Sequence, residues 1–328
     1  MGDIDQLSIM EKRRLGTSDI YITPILMGAW QAGKAMWTGI EDVDSIKTIR
    51  AAFEAGITTV DTAEVYGQGH SEQIVAAALS DVRHRVEYAS KVFANHLKYD
   101  LVIEACDRSL KNLQTDYIDL YQIHWPSGSF NSEIVPIEET MLALNQLKQQ
   151  GKIRSIGVSN FNRDQLAAAS QYGRIDSLQP PYSLFWRQVE KDAMGYCIEN
   201  NISILAYSPL AQGLLTGKFA PGHQFDPADN RAKNRLFQGE NFQRAQQALE
   251  KLRPIAARHD CSLAQLALAW LIAQPQTSAI AGARYPEQAQ DNASAAQIQL
   301  SGEELAQIDV IGRIVTDHLD DNPVMWKW

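Results

Sequence analysis

The feature that most constrains the fold of this chain is a regular alternation of short apolar runs with longer amphipathic stretches. Eight of the runs have the length and the β-branched or aromatic content of strands. They span residues 25–27, 58–60, 86–90, 117–123, 153–158, 177–178, 204–206 and 278–280. Runs of this kind, separated by segments of helix length, are typical of parallel strands joined by crossover helices.

The stretches between the runs predict helices, because their apolar residues recur three and four positions apart. These stretches include residues 44–54, 71–79, 101–113, 137–150, 163–172 and 189–200. Gly151 predicts a helix stop, and Ser262 with Gln265 forms a capping-box pattern before a helix over 266–272. A long loop begins at Tyr207 and contains the Gly-, Pro- and Asp-rich segment 217–234, so the next helix is expected near Phe242.

This order of elements favours a (β/α)8 TIM barrel, a fold that takes about 250 residues as one unit. We therefore expect one domain over 1–328, with 312–328 as a C-terminal tail. Residues 13–21 predict a β-hairpin that caps the closed end of the barrel. An open doubly wound sheet with an accessory domain is the alternative, but Glu72 stands where the third glycine of a nucleotide-binding motif beginning at Gly67 belongs.

Composition excludes several classes of partner. The formal net charge of −9 argues against binding to nucleic acid, which usually requires a basic face. No apolar run has membrane-spanning length, and the first residues lack the pattern of a targeting signal. Cys106, Cys197 and Cys261 show neither disulfide nor metal spacing. We therefore expect a soluble cytoplasmic protein with free thiols and no metal site.

Four side chains capable of acid-base chemistry follow three successive predicted strands. Asp61 and Tyr66 follow the second strand, Lys91 follows the third, and His124 follows the fourth. Every strand of a barrel delivers its carboxyl end to the same mouth, so these four residues are expected to converge there.

The four residues fit the reduction of a carbonyl group. The charge of Lys91 would lower the pKa of Tyr66 toward a range useful for proton transfer, and Asp61 would orient Lys91. His124 would donate a hydrogen bond to the substrate oxygen. Because no side chain donates hydride, the reaction requires a reduced nicotinamide or flavin. Each residue alone also fits an ordinary structural role, but their joint placement at one mouth favours chemistry.

The motifs around these residues resemble those of the aldo-keto reductase family. They are Val60-Asp61-Thr62-Ala63-Glu64-Val65-Tyr66-Gly67, Ser90-Lys91, Gln122-Ile123-His124 and Gly157-Val158-Ser159-Asn160-Phe161. The resemblance extends from about Arg14 to Ile311. It implies a (β/α)8 barrel that binds NADPH at its mouth and reduces aldehydes or ketones to alcohols. The implied catalytic residues are Asp61, Tyr66, Lys91 and His124.

The resemblance also implies a cofactor site. Ser159, Asn160 and Gln179 match residues that bind the nicotinamide carboxamide, and Tyr207 matches the aromatic residue that stacks on its ring. The strap beside the pyrophosphate is matched by Ser208, Leu210 and Gln212. The segment that binds adenosine is matched by Gly282, Ala283, Arg284, Gln288, Asp291 and Asn292.

The adenosine segment departs from the family pattern at two positions. Some relatives have Lys at the position of Gly282 and Arg at that of Gln288, where both bind the 2′-phosphate. Arg284 can supply one bidentate phosphate contact, and Lys218 lies in the preceding loop. We therefore expect NADPH rather than NADH.

Tryptophans mark a possible substrate pocket. Trp30, Trp37 and Trp125 follow the first and fourth strands, where they would form an apolar lining suited to aromatic or aliphatic aldehydes. Trp326 and Trp328, in the tail, are expected to close the pocket or to meet another subunit.

Two other functions are compatible with the sequence. The same family includes the β-subunits of voltage-gated potassium channels, so an auxiliary or redox-sensing subunit with little turnover is the alternative to a reductase. A barrel hydrolase that uses Asp61 or Glu64 as acid or base would need no nicotinamide. Sequence leaves the physiological substrate and any oligomeric partner open.

Overall fold

Ten strands occur in the part of the chain that the structure covers. The computed structural model describes residues 10–35, 37–226, 229–320 and 322. The strands are β1 (Arg13–Arg14), β2 (Tyr21–Ile22), β3 (Ile25–Gly28), β4 (Thr59–Asp61), β5 (Glu87–Val92), β6 (Ile118–Ile123), β7 (Ile153–Ser159), β8 (Ser177–Gln179), β9 (Ser203–Ala206) and β10 (Thr277–Gly282). Each of the eight predicted runs overlaps one strand from β3 to β10.

Strands β3 to β10 form a closed parallel barrel in chain order, which confirms the predicted fold. Neighbouring strands pair in parallel around the ring, and β10 returns to pair with β3. The closing register sets Ala279 opposite Ile25 and Gly282 opposite Gly28. All eight carboxyl ends therefore face one mouth.

The predicted hairpin is formed by β1 and β2, and it plugs the opposite end of the barrel. Its buried residues Leu15, Ile20 and Ile22 join an apolar cluster inside the barrel. The barrel supplies Leu26, Ala89, Leu120, Leu205 and Ile280 to this cluster. Gly16 has φ +55, and a Cβ placed there would lie 2.5 Å from the carbonyl oxygen of Asp176. The turn therefore requires glycine.

Eleven α-helices surround the barrel within the described ranges. They are α1 (Asp42–Glu54), α2 (His70–Leu79), α3 (Tyr99–Leu113), α4 (Ile137–Gln149), α5 (Arg163–Ser170), α6 (Gln188–Lys191), α7 (Met194–Glu199), α8 (Gly239–Arg258), α9 (Leu263–Ile272), α10 (Pro286–Ser294) and α11 (Gly302–Thr316). The predicted capping box before α9 is present, since Ser262 and Gln265 satisfy each other's backbone N–H groups.

Two predicted boundaries are wrong. The stretch 189–200 is two short helices, α6 and α7, because the backbone leaves the helical region at Asp192, where φ is −113 and ψ is −81. Helix α8 begins at Gly239, close to the start expected near Phe242. The segment 312–328 begins inside α11, where Val315 is buried, so its first residues are not a tail. Trp326 and Trp328 lie outside the described residues.

The long connection between β9 and α8 contains ordered turns. Short 3₁₀ segments occupy Ala211–Thr216, Asn230–Lys233 and Arg235–Phe237. Phe219 packs against Phe225 and Phe237, with ring centroids 5.1 and 5.4 Å away. Aromatic packing therefore supports this connection where regular structure is absent.

Two further expectations concern the cysteines and the length of the apolar helices. Cys106, Cys197 and Cys261 are free thiols, as predicted. Within the described ranges, every helix is too short or too polar to cross a bilayer.

Candidate active site

A buried ion pair lies at the centre of the mouth. The Lys91 Nζ donates to Asp61 Oδ1 at 2.6 Å and to the carbonyl oxygen of Thr62 at 2.8 Å. Burial lowers the pKa of Lys91 from its ordinary value, and the negative charge of Asp61 opposes that shift. The two acceptors hold the ammonium in one position at the ends of β4 and β5.

The second oxygen of Asp61 is bound by two glutamines. The Gln179 Nε2 donates to Asp61 Oδ2 at 2.9 Å, and the Gln122 Nε2 reaches the same oxygen at 3.4 Å. The amides of Gln179 and Gln122 are also in contact, at 3.3 Å. Asp61 is therefore the centre of a polar layer that spans four strands of the barrel.

Gln122 is part of this site although the sequence analysis did not select it. It lies inside β6, in a run interpreted as apolar. Side chains alternate between the faces of a strand, so Gln122 shares the interior face with Leu120. That alternation was the signal that could have identified it.

The phenol ring of Tyr66 stands beside the ion pair. The Lys91 Nζ lies 5.2 Å from the centroid of this ring. The sequence analysis expected Lys91 to lower the pKa of Tyr66, and this expectation is wrong. Burial, followed by the negative charge of Asp61, raises the pKa of Tyr66 well above 10.0. Because Asp61 is bonded to Lys91, the pair presents little net positive charge to the phenol, and desolvation decides the direction.

His124 is buried beside Tyr66, with the two ring centroids 5.6 Å apart. Burial, followed by the positive charge of Lys91, lowers the pKa of His124 well below 6.5. The imidazole is therefore neutral at pH 7, with a hydrogen on one ring nitrogen. Its Nδ1 is buried and has no hydrogen-bond partner among the residues described.

Aromatic rings form a wall around Tyr66 and His124. Trp30 packs on Tyr66 at 6.3 Å and on Trp37 at 5.1 Å between ring centroids. On the other side, the Phe93 ring lies 5.6 Å from that of His124. The wall continues from Phe93 to Phe130, with ring centroids 5.3 Å apart, and from Phe130 to Trp125, at 5.2 Å. The three predicted tryptophans therefore share a wall with Phe93 and Phe130, which the sequence analysis missed.

Ser159, Asn160 and Tyr207 lie together next to His124. The Tyr207 hydroxyl donates to Asn160 Oδ1 at 2.9 Å, and the Asn160 Nδ2 donates to the carbonyl oxygen of His124 at 3.1 Å. Ser159 donates its hydroxyl hydrogen to the carbonyl oxygen of Gln179 at 2.8 Å. Asn160 has φ +61, a left-handed conformation that asparagine tolerates better than most residues.

The predicted strap after β9 has an unusual backbone. Ser208, Ala211 and Gln212 have φ values of +52, +47 and +56, and Gly213 follows at +90. Such a run of left-handed residues makes a tight turn that a helix or strand cannot make. The Asn234 Nδ2 donates to Gln212 Oε1 at 3.1 Å. This bond joins the strap to the 3₁₀ segment Arg235–Phe237, which lies just before α8.

The predicted adenosine segment is held against the first loop of the barrel. Gln31 donates to the carbonyl oxygen of Ala283 at 2.8 Å, and Asn292 donates to that of Gly282 at 3.3 Å. The Gln288 Oε1 accepts the backbone N–H of Arg284 at 2.8 Å. The Arg284 guanidinium lies 5.2 Å from the Trp37 ring centroid.

A basic cluster forms where this segment faces the long connection. Burial lowers the pKa of Lys218, and the positive charges of Arg231 and Arg284 lower it further. Asp229 supplies a carboxylate to the cluster, with Arg231 Nε at 2.9 Å. Arg231 was not selected from the sequence, because nothing in its local pattern distinguishes it from an ordinary surface arginine.

The mouth therefore carries its acid-base groups at the carboxyl ends of the strands, where barrel enzymes carry their active sites. The Aldo/keto reductase family model matches residues 24–313, and the chain belongs to this family. The resemblance inferred from the motifs is confirmed.

Several known proteins match this chain over almost their whole length. The chain is 36% identical over 316 residues to the NADH-specific methylglyoxal reductase of Escherichia coli (strain K12), covering 89% of this chain and 95% of the relative. A glycerol dehydrogenase structure from Gluconobacter oxydans has a TM-score of 0.87 at 33% identity and covers 95% of this chain and 98% of its own. An aldo-keto reductase from Klebsiella pneumoniae in complex with NADPH has a TM-score of 0.75 at 30% identity, covering 98% and 99%.

Proposed function

We propose that this protein catalyses the NADPH-dependent reduction of aldehydes or ketones to alcohols. The observation that carries the proposal is the convergence of Tyr66, His124 and the buried Lys91–Asp61 pair at one mouth. A proton donor and a neutral hydrogen-bond donor held beside a fixed ion pair are groups that carbonyl reduction can use.

Features of the mouth fit a nicotinamide dinucleotide. The polar groups of Ser159, Asn160 and Tyr207 lie beside His124 and offer polar contacts at the centre of the mouth. At the rim, Lys218 and Arg284 present positive charge suited to phosphate groups. Ser159, Asn160, Gln179 and Tyr207 would hold the nicotinamide end, and the strap would hold the pyrophosphate. When bound, the reduced cofactor supplies the hydride.

The proton that the product alcohol needs comes from a side chain of the protein. The neutral His124 ring donates a hydrogen bond to the substrate oxygen and polarises the carbonyl group. The raised pKa of Tyr66 keeps its phenol protonated at neutral pH, so it holds the proton that the product oxygen takes. The Lys91 ammonium lies 5.2 Å from the ring centroid, and the Asp61 carboxylate bonded to it opposes its effect on the phenolate that remains.

The aromatic wall favours carbonyl compounds with apolar substituents. Trp30, Phe93 and Trp125 contribute ring surface around the reacting groups. Apolar surface excludes water and strengthens the hydrogen bonds made inside the mouth. The three free thiols and the nicotinamide chemistry are consistent with a cytoplasmic location.

We infer a preference for NADPH from the basic cluster. One relative is NADH-specific and one structural neighbour is an NADPH complex, so membership of the family leaves the preference open. Arg284 and Lys218 bring two positive charges to the rim, and a 2′-phosphate would balance them. Dissociation constants for both cofactors should be measured with wild type, Arg284→Ala and, as a control, Arg253→Ala on the exposed face of α8. We expect NADPH to bind about tenfold more weakly to Arg284→Ala than to wild type, and the control Arg253→Ala to bind it as wild type does. Equal wild-type affinities for the two cofactors would refute the preference.

The reaction is tested by NADPH oxidation at 340 nm with a panel of aldehydes and ketones. Wild type is compared with Tyr66→Phe after both proteins are shown to bind NADPH. We expect the substitution to reduce turnover by about 10² to 10⁴-fold with binding retained. Wild type that binds NADPH tightly but turns over none of the compounds would instead indicate an auxiliary subunit.

The geometry argues against the hydrolase alternative. Asp61 is bonded through both oxygens to Lys91 and Gln179. Glu64 is also engaged through both oxygens, by the backbone of Phe93 and by Arg108. Each oxygen of both carboxylates already accepts a hydrogen bond from the protein and is largely buried, which does not favour a general base that activates water.

A further inference from the structure

Glu64 is a buried carboxylate at the mouth that the proposed reaction does not use. It lies two residues before Tyr66 and is 9% exposed. Its backbone N–H points to the carbonyl oxygen of Lys91 at 3.4 Å, so the residue joins the loop after β4 to the end of β5. A buried carboxylate is costly unless direct contacts compensate it.

Both carboxylate oxygens of Glu64 have such contacts. Oε1 accepts the backbone N–H of Phe93 at 2.9 Å and lies 2.9 Å from His96 Nδ1. Oε2 accepts from Arg108 Nη2 at 3.2 Å, which brings a balancing positive charge from α3. Glu64 therefore fixes the point at which the chain leaves β5, and that point is Phe93.

Phe93 in turn touches the group that polarises the substrate. Its ring meets the His124 ring edge-on, at 5.6 Å and 81°. The Tyr66 ring meets His124 at the same distance and the same angle. Since His124 Nδ1 has no hydrogen-bond partner within the described ranges, the orientation of the imidazole depends on the aromatic rings that pack against it.

We propose that Glu64 is a positioning residue that acts through Phe93 to set the orientation of the His124 ring. The proposal rests on the reductase function proposed above. By holding the Phe93 backbone, Glu64 keeps one of the two rings beside the His124 imidazole in place. The imidazole N–H is then held in the direction of the substrate oxygen. Misplacement of such a group by about 1 Å is enough to cost about 10²-fold in rate.

The experiment uses the full chain without cofactor, labelled with ¹⁵N-histidine, and follows the imidazole signals of His124 by NMR. The loss of signals in His124→Gln assigns them. The variants are Glu64→Ala, which removes all the side-chain contacts, and Glu64→Gln, which retains an acceptor for the Phe93 N–H. Glu104→Gln is the matched control, because exposed Glu104 lies 3.9 Å from the same Arg108, whereas the acceptor of the Phe93 N–H is Glu64.

We expect Glu64→Ala to shift or broaden the His124 signals and to lower kcat about 10 to 100-fold, with the dissociation constant for NADPH unchanged. Glu64→Gln should retain most of the wild-type signal position and rate. Glu104→Gln should leave both unchanged. His124 signals and kcat that are unchanged in folded Glu64→Ala would overturn the proposal.

Phe93→Leu keeps the test decisive if Glu64→Ala does not fold. It removes the ring but leaves the backbone N–H that Glu64 accepts, so it should reproduce the change in the His124 signals. Unchanged signals in Phe93→Leu would equally overturn the proposal. If wild type turns over no carbonyl compound, the proposed function fails, while the NMR comparison still decides whether Glu64 orients His124.

Discussion

The two ends of the barrel use the same strands in opposite ways. At the closed end, Ala89 of β5 and Leu120 of β6 join the apolar cluster under Leu15. Two residues further along these strands, Lys91 and Gln122 lie in the polar layer around Asp61. Because side chains alternate along a strand, both layers face the interior.

This difference shows how one fold separates stability from chemistry. The apolar plug gains free energy on burial, since Leu15, Ile20 and Ile22 pack against apolar side chains of the barrel. The mouth contains buried charges that depend on one another, and the His124 Nδ1 has no partner among the described residues. Substitutions at the two ends should therefore have different consequences, and three predictions examine this.

The largest effect is expected from Lys91→Met. This change leaves the Asp61 carboxylate buried without its cation, which should lower the free energy of unfolding by about 3–5 kcal/mol and abolish turnover. The double variant Asp61→Asn with Lys91→Met should regain much of the stability but no turnover. Urea unfolding and the NADPH assay measure the two quantities. Full stability in Lys91→Met would show that the mouth tolerates an unpaired charge.

A smaller effect, on stability alone, is expected from Leu15→Ala at the closed end. The cavity left under the hairpin should lower the free energy of unfolding by about 3 kcal/mol. The value of kcat should stay within about twofold of wild type, because Leu15 lies at the end of the barrel opposite the groups that the reaction uses. A large fall in kcat in the folded variant would contradict the separation of the two ends.

The smallest effect is a pH dependence at the mouth. His124 has a folded-state pKa well below 6.5, so below about pH 6.5 the unfolded chain takes up a proton that the folded chain does not. Stability should therefore fall as the pH drops through this window, with a contribution of up to about 1.4 kcal/mol per pH unit. His124→Gln should reduce the slope of unfolding free energy between pH 6.5 and pH 5.

Exposed His84, before β5, provides the control for that measurement. We expect His84→Gln to leave the slope as in wild type, since the side chain lies at the surface. Equal slopes for wild type and His124→Gln would show that the imidazole is not held neutral by the mouth.

Much of the fold was predictable, because strand and helix signals depend on local pattern. The run 117–123 differs from β6 by one residue, and the capping box at Ser262 marked the start of α9. The stretch 189–200 was predicted as one helix because its apolar spacing continues across Asp192, whereas the backbone turns there. A local pattern does not register such a break.

The site was predictable only in part. Residues just beyond strand ends, such as His124, are placed by the topology of the barrel. Phe93 and Phe130 meet through loops whose paths depend on distant contacts, including the one that Glu64 makes. The direction of the Tyr66 pKa shift depends on how deeply the phenol is buried and on how completely Asp61 neutralises Lys91. Neither the burial of the phenol nor the neutralisation of Lys91 can be derived from the spacing of residues along the sequence.

The hairpin plug also has a consequence for the order in which the molecule is made. Leu15 is synthesised well before its partners Leu205 and Ile280, which lie on β9 and β10, the last two strands among the described residues. The ring itself closes only when β10 pairs with β3. During synthesis the hairpin residues therefore lack part of their apolar partners until β9 and β10 are made, and a chain that stops before residue 277 has no β10 to close the ring.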